Sequence, residues 1–142
     1  MDWLQEFLIN LIKLMGFNDY AINYDSEHNR FLIFINNFDS EGLVVQLINS
    51  LNHLVKSLCK KHSQPFVFID VNNYQEKRER LILELARATA RKAATTKTAI
   101  ELPSMNAHER RLVHLELSSL PDVKTESIGE GKERRVVVKP IL

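Results

Sequence analysis

At 142 residues the chain has room for one ordinary domain or two very small ones. A hydrophobic fraction of 44% and a charged fraction of 26% lie near globular averages and exclude wholesale disorder. No run approaches the roughly 20 apolar residues that span a bilayer, and the single cysteine, Cys59, excludes an internal disulfide. The net charge of +1 conceals an asymmetry. Residues 1–70 carry five Lys/Arg against eight Asp/Glu, and residues 71–142 carry fourteen against ten. Any contact with a polyanion is therefore expected from the second half.

In chain order, Leu4, Phe7, Leu8, Leu11, Ile12 and Met15 predict an amphipathic helix over residues 3–15, stopped by Gly16. Asp2 and Glu6 stand where a signal peptide would carry positive charge, so the chain is expected in the cytoplasm with no membrane insertion. Tyr20–Tyr24 and Arg30–Ile35 are aromatic and β-branched runs around a polar turn, which predicts a β-hairpin. Residues 40–61 return to helical spacing, as one long helix or two short ones broken near residue 46. Pro65–Asp70 reads as a strand.

Past Asn72-Asn73 the pattern changes, and a boundary is expected there, with one domain over 1–71 and another over 72–142. Tyr74–Ala94 predicts a helix burying Leu81, Ile82, Leu85, Ala88 and Thr89 and exposing a mostly basic stripe that includes Arg80, Arg87 and Arg91. Thr98–Pro103 reads as a strand. Then comes Met105–Leu120, in which Asn106 and Glu109 have the spacing of a capping box. Arg110 and His114, four residues apart, fall about 40° apart on one face of that helix. Leu112, Val113, Leu115, Leu117 and Leu120 are expected to bury the other flank, leaving Arg110, Arg111 and His114 to water. Val123–Ile128 and Arg134–Lys139 predict two strands around Gly129-Glu130-Gly131.

The chain carries no phosphate-cradling glycine loop, no nucleophile elbow and no pair of carboxylates with catalytic logic. Cys59 and His62 lack a second ligand pair at metal-binding spacing, so neither metal nor cofactor is expected, and no enzymatic activity. What stands out is Arg110-x-x-x-His114 on a capped helix, preceded by a strand and followed by a glycine hairpin bearing Arg134-Arg135.

That combination resembles the R-three-H domain, a single-stranded nucleic-acid-binding module. The whole chain resembles the bacterial Jag family, in which a type II KH domain precedes an R-three-H domain. The likeness rests on Asp70–Arg80, Leu102–His114, Ser127–Gly131 and Arg134–Val138. Over residues 1–69 it is one of element order. It implies an α+β fold of two small domains: a KH-like unit of helix, two strands, helical hairpin and strand, then an R-three-H unit of helices on a small, mainly antiparallel sheet. It also implies Arg110 and His114 as the signature pair, with Arg111, Arg134 and Arg135 on phosphates and Arg80, Arg87 and Arg91 supplying a positive setting. KH domains clamp RNA with a Gly-x-x-Gly loop. The matching stretch here is Gly42-Leu43-Val44-Val45, without the second glycine or a basic middle residue, so that loop is expected to be degenerate. The resulting expectation is a cytoplasmic protein that binds single-stranded RNA, or single-stranded DNA, mainly through its second half. It would be a post-transcriptional regulator or RNA chaperone linked to cell elongation or division. The alternative is a protein-interaction adaptor that contacts a partner through its KH-like half.

Overall fold

A computed structural model of the chain describes residues 2–142, which form two compact units, one running to Gln75 and one from Glu76 to Leu142. The architecture is α+β, with two three-stranded sheets and four α-helices among the described residues.

In the first unit, helix α1 (Asp2–Leu14) buries Leu4, Leu8 and Ile12, a spacing of four that keeps them on one face. It ends in a Schellman motif. The Gly16 N–H bonds the Lys13 carbonyl and the Phe17 N–H the Ile12 carbonyl, with Gly16 at φ +93°, a conformation that favours glycine. Strands β1 (Tyr20–Asp25) and β2 (Arg30–Ile35) form the expected antiparallel hairpin, and β3 (Phe68–Val71) adds to β2 in parallel. Phe31, Ile33, Ile35, Ile69 and Val71 alternate onto the face that meets the helices. Helix α2 (Glu41–Lys61) also satisfies β3 directly: Asn52 accepts from the Ile69 N–H at 2.8 Å and donates to its carbonyl at 3.0 Å.

Of the two readings of residues 40–61, one long helix or a helical hairpin, the structure takes the first and overturns the hairpin. α2 is one unbroken helix of 21 residues, and Gly42, Leu43, Val44 and Val45 lie in its first turns rather than in a loop. Its buried stripe of Val44, Leu47, Leu51, Val55 and Cys59 runs through without interruption, so burial holds the segment helical from end to end. A Cβ at Gly42 would meet nothing within 4 Å, so neither close approach nor an unusual backbone angle requires glycine there.

The second unit contains most of α3 (Tyr74–Thr96), then β4 (Ile100–Glu101), α4 (Ala107–Leu117), β5 (Val123–Ile128), a single 3-10 turn (Gly131–Glu133) and β6 (Arg135–Pro140). The sheet order is β4-β6-β5, antiparallel throughout. α3 buries Ile82, Ala86, Thr89, Ala90 and Ala93, a stripe rotated from the expected one, while Leu81 and Leu85 are exposed. Alanines let the helix lie close to its neighbours, and burial of a small side chain is not announced by its size. α4 is anchored by Val113 and Leu117, each contributing about 1.5–3 kcal/mol on full burial. Leu112 is half-buried, and Leu115 and Leu120, expected in the core, face water.

Candidate nucleic-acid interface

The candidate interface is built on α4. Asn106 accepts from the Glu109 N–H at 2.9 Å and the Glu109 carboxylate accepts from the Asn106 N–H at 3.2 Å, the reciprocal pair that the sequence spacing predicts. The other Glu109 carboxylate oxygen takes the Arg78 Nε–H at 3.0 Å, so the cap is tied to α3 and its charge is neutralised there. The approach to α4 is fixed by two backbone bonds to the sheet region, Leu102 N–H to Val136 and Met105 N–H to Arg134.

One turn into α4, Arg110 and His114 share a face as predicted, but both are half-buried rather than open to water. Arg110 donates from Nη1 to the Met105 carbonyl at 2.6 Å, which fixes its guanidinium beside the cap and leaves its other N–H groups available. The His114 ring is held at both ends by β5, with Nδ1 2.6 Å from Thr125 Oγ1 and Nε2 2.9 Å from Ser127 Oγ. A neutral imidazole has one donor and one acceptor, and a hydroxyl answers either. Burial first, and the Arg110 charge second, hold the His114 pKa below its ordinary value, so the ring is neutral at pH 7. With both nitrogens engaged, it can offer a ligand its flat face. Thr125 and Ser127, which hold the ring, are not among the site residues that the sequence reading names. Their signal is the strand alternation that puts Val123, Thr125 and Ser127 on one side of β5.

Arg110, Arg111, His114, Ser127 and Arg134 line an open cleft of about 470 Å³ between α4 and the β5–β6 hairpin. Arg134 is braced by a bond from Nη1 to the Gly129 carbonyl at 2.9 Å. Gly129 itself sits at φ +84°, and a Cβ there would come within 2.9 Å of the Glu133 carbonyl oxygen, so the turn that presents Arg134 depends on glycine. None of the three arginines forms an ion pair with a carboxylate among the described residues.

The remaining sequence-predicted residues are placed elsewhere. Arg135 does not line the cleft; it donates to the Glu133 carbonyl at 3.0 Å and lies 4.0 Å from Glu101. Arg80 pairs with Glu76 at 3.4 Å, and Arg87 with Glu116 of α4 at 2.6 Å. Arg91 is exposed on α3 and does not line the cleft. Gly42, Leu43, Val44 and Val45 form the start of a helix, with Val44 in the core of the first unit.

Residues 80–140 match the family model of the R-three-H domain. Over 94% of its length the chain is 29% identical to RNA-binding protein KhpB of Clostridium symbiosum, covering 63% of that protein. Over 95% of its length it is 32% identical to RNA-binding protein KhpB of Lactiplantibacillus plantarum, covering 43% of it. It is also 32% identical over 97 residues to RNA-binding protein KhpB of Bacillus subtilis, covering 47% of it. The chain thus spans about half the length of these curated relatives. Fold, cleft and match together define a protein with an R-three-H domain, and Arg110 and His114 occupy the spacing for which that domain is named. Over nearly all of its length the chain is similar to the KhpB proteins of two of these organisms.

Proposed function

We propose that this protein binds single-stranded RNA in the cleft between α4 and the β5–β6 hairpin, and that it acts by binding rather than by catalysis. The observation that carries the reading is the convergence of Arg110, Arg111 and Arg134 around the neutral ring of His114, with no carboxylate spent on them. Guanidinium groups pair with phosphate oxygens bidentately and stack on bases, and a half-buried imidazole offers a stacking face. Arg80 and Arg87 already face carboxylates, so their part is structural, while Arg91 adds to the general field. The names of the KhpB relatives agree with RNA as the ligand. Among the described residues no helix is long and apolar enough to cross a membrane. The proposed place of action is the cytoplasm, where an RNA ligand is made and used.

The KH-like first unit takes a different part. Its helical Gly42–Val45 segment lacks the loop that would clamp a backbone, so we assign it to support or to protein contact. Titration of labelled single-stranded RNA at two salt concentrations tests the reading. Arg110→Ala combined with Arg111→Ala should weaken binding about tenfold or more and flatten the salt dependence by about 0.7 in log–log slope for each phosphate no longer held. Unchanged affinity in the double variant would remove the cleft as the site.

A further inference from the structure

A second cleft of about 560 Å³ adjoins the first, and the two share Ala107 and Arg110. On the far side of Arg110 it is lined by Met105, Glu109, Gly131 and Lys132. Both volumes lie within the range of about 300–1,000 Å³ typical of small-ligand sites. Arg110, fixed by its bond to the Met105 carbonyl, stands at the ridge where they meet and can reach a ligand in either. Of the two charged side chains beyond that ridge, Glu109 is neutralised by Arg78 at 3.0 Å. Lys132 has no carboxylate partner among the described residues. The net electrostatic character of this cleft is therefore that of Lys132 and Arg110.

The turn that carries Lys132 is defined by its backbone. Gly131 takes φ +59°, and the Glu133 and Arg134 N–H groups close back on the Glu130 and Gly131 carbonyls. The facing wall is bonded to the same strand end through Met105 N–H and the Arg134 carbonyl. Both walls are thus held in one piece of structure before any ligand arrives, which reduces the ordering cost of binding.

We infer that the two clefts form one continuous track for consecutive nucleotides of single-stranded RNA, with Lys132 holding the phosphate of the nucleotide beyond Arg110. This rests on the proposal that the first cleft binds RNA and extends it by a second subsite. The strand crosses the ridge at Arg110, so loss of Lys132 shortens the track without dismantling the first subsite.

The test uses the full chain with two probes, a labelled oligouridylate of about eight nucleotides, within usual single-strand site sizes, and uridine monophosphate followed by amide chemical shifts. Lys132→Ala should weaken the oligonucleotide about three- to tenfold and lower its salt slope by about 0.7, the increment for one phosphate on a single strand. It should weaken the monophosphate less, and Lys132→Arg should restore most of the loss. If Lys132→Ala leaves the oligonucleotide affinity and slope unchanged while Arg110→Ala lowers them, the second subsite is wrong and the first stands. Equal weakening of both probes would also overturn it, because it would reduce Lys132 to a long-range charge. If the wild-type chain binds neither probe, both readings fall together.

Discussion

His114 is a neutral ring clamped between Thr125 and Ser127, and its depressed pKa links folding to pH. Between the ordinary histidine value near 6.5 and the lower folded value, the unfolded chain binds more protons, so stability rises with pH in that window. The contribution is complete above the ordinary value and is lost as pH falls toward the folded one. The stability gap between wild type and His114→Gln, measured by denaturant unfolding at pH 7.5 and 5.5, should therefore be larger at pH 7.5. A gap that widens on acidification would mean that the ring is charged in the fold. None of this shows on a helical wheel, where His114 stands beside Arg110 as a second exposed cation. Arg110 illustrates the complementary point: its spacing from His114 is readable in the sequence, but the Met105 carbonyl that aims it is not.

Elements differ in how much of themselves the sequence reveals, and the reason is the range of the interactions that set them. The α4 cap is legible because Asn106 and Glu109 are three residues apart and satisfy each other locally. The hairpin of β1 and β2 is legible for the same reason. The buried stripe of α3 is not, because Ala86, Ala90 and Ala93 outrank Leu81 and Leu85 only once the neighbouring elements have closed on them. The basic stripe of that helix loses its meaning through pairs such as Arg87–Glu116, 29 residues apart in sequence. α2 makes the sharpest case. A glycine near its start suggests a clamp loop, yet Gly42 sits in the first turn with open space at its Cβ. Gly42→Ala should stabilise the chain by about 0.4–1 kcal/mol in equilibrium unfolding and leave RNA affinity unaltered. Destabilisation together with lost binding would restore a clamp role to that segment.

At the scale of the whole molecule, positive charge and the proposed site fall in the same half of the sequence. The chain is nearly neutral, but residues 71–142 hold fourteen basic side chains against ten acidic ones. Several of those basic residues are spent on carboxylates, as in Arg78–Glu109, Arg87–Glu116 and Lys139–Glu126. Arg110, Arg111, Lys132 and Arg134 are not, and they converge on the two adjoining clefts of α4. Net charge alone points to the whole basic half; the two clefts gather four of the side chains that no carboxylate holds. The acidic N-terminal unit is organised around its own core of α1, α2 and the β1–β3 sheet, with a helix where a nucleotide-clamping loop would stand. Chemical-shift mapping of the full chain with single-stranded RNA tests this division of labour most directly. The amides of residues 104–118 and 125–135 should respond together, and those of residues 39–47 should stay where they are. A response centred on residues 39–47, with the α4 clefts silent, would contradict the account.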